Sequence, residues 1–215
     1  MRIFGEHGLR TQFIHVGEKK IHVVENSEGT FTYRRDNVRV KILGGMHLSI
    51  LPAPAKGYGV RFLMVKLEPS VAVPPTSIVK GYLEAPIDVK VLLGGTEIDR
   101  FTPCREKYAL YGEDNVGVIA RYAVSQFFSK KPNPTCALIP LLIKNEDESW
   151  FHLRRLVFPI GNCPMFYHRD EAYYPQMIVH LKKIPFIVNT GNPPDGTLNV
   201  VGTPRRIVTF SMRWL

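Results

Sequence analysis

Residues 107–128 alternate apolar and polar side chains on both sides of a polar turn. The pattern predicts a short strand at 108–111, a turn at 112–115 and a longer returning strand at 116–128. A period of two, bounded by Gly, Asp and Asn, is typical of a β-hairpin. The chain is therefore expected to consist of strands and turns. The longer strand would place Arg121 and Ser125 on one face and five apolar residues on the other: Val116, Val118, Ala120, Tyr122 and Val124.

Strands and turns are also predicted for the rest of the chain, because no window of about eleven residues carries apolar side chains at helical spacing. About twelve to fifteen short strands, separated by Gly, Pro and Asn, predict an all-β protein that is an antiparallel β-sandwich or two packed β units. Residues 60–67 are apolar on both faces and predict a central strand. Two separate strands are expected at 78–83 and 87–93. The Pro-Ala-Pro sequence at 52–54 is expected to open a loop.

The length of 215 residues is sufficient for one large β core or two small ones. We expect a single β-rich domain over residues 1–215. The alternative is a subdivision into 1–98 and 99–215, because Gly94, Gly95 and Pro103 interrupt the pattern near that point. Neither a flexible Gly/Ser linker nor a shift in composition marks this boundary.

The formal net charge of +9 is spread along the chain and forms no basic tail. Adjacent residues on a strand point to opposite faces, so a basic doublet does not place both charges on one surface. Doublets therefore suit turns and strand ends, where Lys and Arg protect sheet edges and keep the protein soluble. The alternative is a basic patch assembled in three dimensions, which would bind nucleic acid. Six doublets are present: Lys19-Lys20, Arg34-Arg35, Lys130-Lys131, Arg154-Arg155, Lys182-Lys183 and Arg205-Arg206.

The three cysteines, Cys104, Cys136 and Cys163, are an odd number without a close pair. This spacing argues against a disulfide framework and against a zinc knuckle. No apolar run approaches the roughly 20 residues that a membrane-spanning helix needs. Charged residues also occupy the N-terminal positions at which a signal peptide is apolar. We therefore expect a cytoplasmic protein without a membrane partner, a bound metal or a cofactor.

Residues 163–174 concentrate reactive side chains, with a thiol, an imidazole, two carboxylates and three tyrosines. His168 with Asp170 or Glu171 would support acid–base chemistry, and these three are the candidate catalytic residues. The alternative is a surface loop whose tyrosines pack and whose charges are solvated. The sequence contains no signature of serine hydrolases, P-loop NTPases, dinucleotide-binding enzymes or zinc proteases.

Aromatic and basic residues are interleaved around the predicted hairpin. Tyr108, Tyr111 and Arg121 are the candidate binding residues, because rings stack on bases and cations contact phosphates in proteins that bind single-stranded nucleic acid. The alternative is that half of these rings belong to the core and the rest cover it. Five more residues belong to the set: Arg105, Lys107, Tyr122, Phe127 and Phe128.

Two segments resemble an archaeal protein family that is known only as a domain of unknown function. They are Phe101-Thr-Pro-Cys-Arg-Glu-Lys-Tyr-Ala-Leu-Tyr-Gly112 and Gly117-Val-Ile-Ala-Arg-Tyr122. The opening Ile3-Phe-Gly-Glu6 is also similar to the start of that family. The resemblance covers roughly thirty residues. It implies a cytoplasmic archaeal protein, and it brings no known activity, ligand or functional residue.

Together these patterns predict a non-enzymatic β-sandwich that acts as a binding or interaction module. Its partner would be another protein or a second copy of the chain. The first alternative is a single-stranded nucleic-acid-binding protein that uses dispersed basic residues and tyrosines. The second is a hydrolase or carbohydrate-active β-sandwich that uses His168, Asp170 and Glu171.

Overall fold

The computed structural model describes residues 2–26, 29–113, 116–127, 135–203 and 206–209. Within these ranges the regular structure consists of nineteen β-strands and contains no α-helix. The strands form one sheet of eleven strands and two sheets of four. The prediction of an all-β, sandwich-like fold is confirmed.

The first four-stranded sheet is a meander formed near the N-terminus. Neighbouring strands pair antiparallel in chain order. On the last of them Arg39 and Lys41 are exposed while Ile42 is buried, as the alternation predicts. Val38 and Val40 pack against the core from the same face. The strands are β2 (Gln12–Val16), β3 (Lys19–Glu25), β4 (Thr30–Arg35) and β5 (Val38–Leu43).

The second four-stranded sheet contains the predicted hairpin, with the strand order β10-β11-β7-β13. The central strand predicted at 60–67 is β7, which lies between β11 and β13. The hairpin is confirmed, although β11 ends at Ser125; residues 114, 115 and 128 of that prediction lie outside the described ranges. These strands are β7 (Phe62–Val73), β10 (Tyr108–Tyr111), β11 (Val118–Ser125) and β13 (Phe151–Pro159).

The two faces of β11 differ from the sequence pattern. Arg121 and Ser125 point toward the main core and are buried, although they are the polar residues of the strand. On the opposite face Ala120 and Tyr122 pack with Met64 in a small second cluster, and Val124 is exposed. Local alternation identifies two faces but does not indicate which of them meets the rest of the protein.

The eleven-stranded sheet follows the order β1-β6-β8-β12-β15-β14-β18. Strand β9 pairs with β8, and β16, β17 and β19 continue from β12. The strands are β1 (Gly5–His7), β6 (Leu48–Pro54), β8 (Ile78–Leu93), β9 (Thr96–Phe101), β12 (Cys136–Asn145), β14 (Met165–His168), β15 (Glu171–Tyr173), β16 (Met177–Leu181), β17 (Phe186–Asn189), β18 (Asn199–Val201) and β19 (Ile207–Thr209).

Strand β8 corrects the expectation of two strands at 78–83 and 87–93. It is one strand of sixteen residues. Up to Pro86 it pairs with β12, and from Ile87 onward it pairs with β6 and β9. The chain therefore changes partners at the proline without turning. The loop expected at 52–54 is likewise the end of β6.

One side-chain hydroxyl group bridges two backbone groups at the Pro86 junction. The fully buried Tyr174 donates its hydroxyl hydrogen to the Pro86 carbonyl at 2.8 Å. The same oxygen accepts the N–H of Ala55 at 3.1 Å. The hydroxyl thus satisfies one backbone group within β8 and one just after β6, at the point where β8 changes its neighbours.

Among the strands that the structure describes, three pairs are parallel, namely β7–β11, β12–β15 and β12–β16. The antiparallel prediction holds for the other pairs. The direction of pairing depends on the route that the chain takes between strands, and local alternation carries no information about that route.

One apolar core joins the three sheets and includes residues from Ile3 to Val201. A buried polar contact also attaches the N-terminal meander to β9. Arg35 binds both carboxylate oxygens of Asp99, at 2.6 and 2.9 Å, and the Tyr33 hydroxyl donates to the same group at 2.5 Å. The subdivision at residues 98 and 99 would fall inside β9, and it stays a prediction.

Replacing Tyr174 by Phe should leave two buried backbone groups without a partner. We expect Tyr174→Phe to lower the free energy of unfolding by about 1–3 kcal/mol, measured by urea denaturation. Tyr58→Phe, at a site that is 91% exposed, is the control and should change it by less than about 0.5 kcal/mol. Equal losses in the two variants would show that the Tyr174 hydroxyl does not stabilise the junction.

Candidate functional site

The loop between β6 and β7, residues 55–61, reads Ala-Lys-Gly-Tyr-Gly-Val-Arg. It makes a tight turn, because the N–H groups of Gly59 and Val60 both donate to the Lys56 carbonyl, at 2.9 and 3.0 Å. Gly57 and Gly59 have φ values of +46° and +91°, which favour glycine. A Cβ atom at Gly57 would also collide with the hydroxyl of Tyr108. The loop therefore lies against the start of the β10–β11 hairpin.

The carboxyl group of Asp88, on β8, anchors this loop. One oxygen accepts the N–H groups of Lys56 and Gly57 at 3.1 and 3.2 Å, and the other contacts the Thr102 hydroxyl at 2.9 Å. Asp88 is only 2% exposed. Burial raises the pKa of this carboxyl above its ordinary value, although the hydrogen bonds from Thr102 and Gly57 and the charge of Arg121 act in the opposite direction.

A second carboxyl group shares the Thr102 hydroxyl. Glu106 contacts that hydroxyl at 2.7 Å, and it also accepts a hydrogen bond from the hydroxyl of Tyr108. Burial alone would raise the pKa of Glu106, but these two hydroxyls and the charge of Arg121 bring it below its ordinary value. A hydroxyl has one hydrogen to donate. Both carboxyl contacts are therefore hydrogen bonds only when one carboxyl is protonated, and Asp88 is the one with the raised pKa.

The contacts of Asp88, Thr102 and Glu106 extend to a fully buried cation. The Arg121 guanidinium lies 3.1 Å from a Glu106 oxygen and 5.2 Å from the centre of the Tyr108 ring. The Tyr108 hydroxyl accepts the N–H of Tyr58 at 3.3 Å. The anchored loop is thus fixed from two sides, by Asp88 and by Tyr108.

A groove of about 700 Å³ is lined in part by this loop. Its described lining carries three cations, Lys56, Arg61 and Arg206, and no carboxylate. Lys56 donates to the Asn162 side-chain oxygen at 3.2 Å. Tyr58, in the same loop, is 91% exposed, and its ring is tilted against Tyr108 with centroids 5.9 Å apart. The remaining lining residues are Gly59, Phe62, Pro159, Gly161, Asn162, Ile207 and Val208.

A smaller cleft of about 330 Å³ also contains cations, but two of its three cations already have partners. Lys19 pairs with Asp36 at 2.8 Å, and Arg35 pairs with Asp99 at 2.6 Å. The lining of this cleft also includes two carboxylates, Glu18 and Glu106, and the third cation, Arg105. The positive charge of this cleft is thus largely paired with carboxylates, whereas the larger groove has no carboxylate in its described lining.

The structure brings together two of the three predicted binding residues. Tyr108 and Arg121 are paired in register on the hairpin. Arg121, however, lies in the interior, where it faces Glu106 rather than solvent. Tyr111 is half-buried and packs in the small cluster with Met64 and Val157. As a set of ligand contacts, these three residues stay a prediction.

The predicted catalytic residues lie on the β14–β15 hairpin. His168 is exposed and pairs in register with Glu171. Asp170 accepts the N–H of Ile3 at 2.6 Å, and Glu171 accepts the hydroxyl of Tyr173 at 2.7 Å. Both carboxylates thus have structural contacts. The three residues line none of the clefts described above, and their catalytic role stays a prediction.

Sequence reasoning missed the groove. A local signal was present, because residues 56–61 combine two cations, two glycines and a tyrosine. The contribution of Arg206 could not be recognised, since it comes from the far end of the chain, next to a doublet partner outside the described residues.

Within the described part of the chain, no group of three or more His, Cys, Asp or Glu side chains is arranged to bind a metal ion. The same ranges contain no helix long and apolar enough to cross a membrane.

A family described as "Protein of unknown function (DUF432)" matches residues 3–212. The chain belongs to the DUF432 family. The DUF432 match extends the resemblance from the hairpin and the 101–112 segment to almost the whole chain, and the family description assigns no function. Comparison with curated proteins and with solved structures gives no match.

The raised pKa of Asp88 can be tested by replacing the residue with an isosteric amide. A carboxyl with a raised pKa binds more protons in the folded than in the unfolded state, so it lowers the free energy of unfolding as the pH rises above about 4. Asp88→Asn lacks this titration, and its amide can accept from Lys56 and Gly57 while donating to Thr102. We expect the stability of this variant relative to the wild type to increase with pH in urea titrations. Parallel pH profiles would contradict the assignment.

Proposed function

We propose that the protein is a non-enzymatic binding module whose ligand is single-stranded nucleic acid, bound in the groove beside the 55–61 loop. The observation that carries the proposal is the set of three cations, without a carboxylate in the described lining, beside a loop that also carries the exposed Tyr58. The phosphate of a nucleotide would bind the three cations, and its base would stack on the tyrosine ring.

The phosphate contacts would come from Lys56, Arg61 and Arg206. Cations that face a groove without a neutralising carboxylate attract an anionic chain and release its counterions on binding. The groove is open rather than enclosed, as a polymer that passes through the site requires. The formal net charge of +9 adds a favourable long-range field.

The base contact would come from Tyr58. Its ring is almost fully exposed, yet its loop is fixed by Asp88 and by the hydroxyl of Tyr108. A ring on a fixed loop loses little conformational freedom when a base stacks on it. Stacking on aromatic rings is tolerant of base identity, so we expect little sequence specificity.

This proposal replaces Tyr108, Tyr111 and Arg121 as direct contacts by residues of the groove, and it gives Tyr108 a supporting role beneath Tyr58. The hydrolase alternative gains no support from the contacts of Asp170 and Glu171. The cytoplasmic location and the archaeal origin implied by the resemblance stay predictions.

The phosphate contact of Arg61 can be measured by fluorescence anisotropy with a mixed-sequence single-stranded oligonucleotide at several salt concentrations. We expect Arg61→Ala to weaken binding several-fold and to reduce the log–log salt slope by about 0.7, the value for one phosphate contact on a single strand. Arg39→Ala, at an exposed cation on β5, is the matched control and should leave both quantities unchanged. Wild-type protein that does not bind at low salt would overturn the proposal.

The stacking role of Tyr58 predicts a different signature. We expect Tyr58→Ala to weaken binding by about 5- to 150-fold, since one stacked base contributes about 1–3 kcal/mol. The salt slope should not change, because no phosphate contact is removed. Tyr58→Phe should retain most of the affinity. An equal loss in the Phe and Ala variants would mean that the ring does not stack on a base.

A further inference from the structure

The tip of the β10–β11 hairpin projects past its neighbour in the sheet. Pairing between β11 and β7 starts at Ala120, whereas β10 and β11 pair as far as Tyr111 and Val118. Leu110 and Ile119 face each other across this projecting part and are 45% and 60% exposed. An apolar cross-strand pair is thus presented to solvent at one edge of the sheet.

Strand β10 is the end strand of its sheet within the described residues. The Tyr122 N–H donates to the Lys107 carbonyl at 2.8 Å. Because hydrogen-bonding groups alternate in direction along an antiparallel strand, the N–H and C=O groups of Leu110 point away from β11, toward the open edge. No proline or charged residue lies within β10 to block the pairing of this edge with another strand.

We propose that the protein forms a two-fold dimer in which β10 pairs antiparallel with the same strand of a second copy, centred on Leu110. In this register Leu110 meets the partner's Leu110, and the flanking Ile119 side chains extend the apolar row on the same face. The two four-stranded sheets would join into one continuous sheet. The proposal does not depend on the nucleic-acid ligand.

The charges beside β10 favour a second copy over another partner. Lys107 lies three residues before Leu110, and Glu113 lies three residues after it. A two-fold axis at Leu110 therefore brings Lys107, just before β10, toward the partner's Glu113, which lies beyond the bend at Gly112. Both side chains are exposed. A surface that is self-complementary in backbone pairing, apolar contact and charge fits an isologous interface.

Sedimentation equilibrium of nucleic-acid-free protein tests the interface. We expect wild-type protein to associate to twice its mass of 24.5 kDa. Leu110→Lys should raise the dimer dissociation constant by at least about tenfold, because like charges would face each other across the axis. Ile184→Lys, at another exposed apolar residue, should leave it unchanged. A monomeric wild type, or a Leu110→Lys variant that associates as the wild type does, would overturn the proposal.

A charge exchange tests the register without adding a charge at the apolar centre. Lys107→Glu and Glu113→Lys should each weaken association, because each single change opposes like charges. The double variant should recover most of the wild-type association. Far-UV circular dichroism and the urea midpoint confirm that each variant is folded. A double variant as weak as the single ones would overturn the pairing centred on Leu110.

Discussion

Hydrogen bonds to the buried carboxyl group of Asp88 hold together the strand junction at Pro86 and the loop of the candidate site. Asp88 lies two residues beyond Pro86, where β8 exchanges β12 for β6 and β9 as neighbours. At this junction the N–H groups of Lys56 and Gly57, in the loop after β6, both point to the Asp88 carboxyl, and the Lys56 N–H also donates to the Pro54 carbonyl at 2.7 Å. Asp88 accepts both, and through Thr102 it reaches the segment that leads into the β10–β11 hairpin. Buried polar groups that are fully bonded in this way specify one arrangement of the surrounding segments.

Five of the cations in the described residues fall into two groups with different surroundings. Arg35 is buried against Asp99 and Phe101, where it joins the N-terminal meander to β9. Arg121 is buried against Glu106 and Tyr108. Lys56, Arg61 and Arg206 instead line an open groove whose described lining has no carboxylate. Cations of the first kind stabilise contacts between strands, whereas those of the second kind remain available to an external anion.

Local features of the fold were predictable from the sequence because they depend on neighbouring residues. The hairpins β2–β3 and β10–β11 and the alternation on β5 follow from a period of two between turn residues. The continuity of β8 was not predictable, since Pro86 resembles a strand end unless the change of partners is known. The inward position of Arg121 was also missed, because a polar residue within an apolar alternation normally faces solvent. Its burial depends on Glu106 and Tyr108, which reach it only in the folded chain.

The candidate site was less accessible to sequence analysis than the fold. Its cations come from residues 56–61 and from position 206, and no spacing rule connects segments so far apart. Family membership does not identify the site either, because the DUF432 description assigns no function. The site is therefore defined by proximity in space and by the absence of acidic neighbours from its described lining, and both properties emerge only from the tertiary structure.

Amide hydrogen exchange, measured with and without a short single-stranded oligonucleotide, tests the central claim most directly. If the loop anchored by Asp88 forms the ligand site, protection should increase at residues 56–61 and at 206–208. The β14–β15 hairpin with His168 should exchange at the same rate in both samples. Protection at that hairpin with no change at 56–61 would contradict the account and move the site to the other candidate residues.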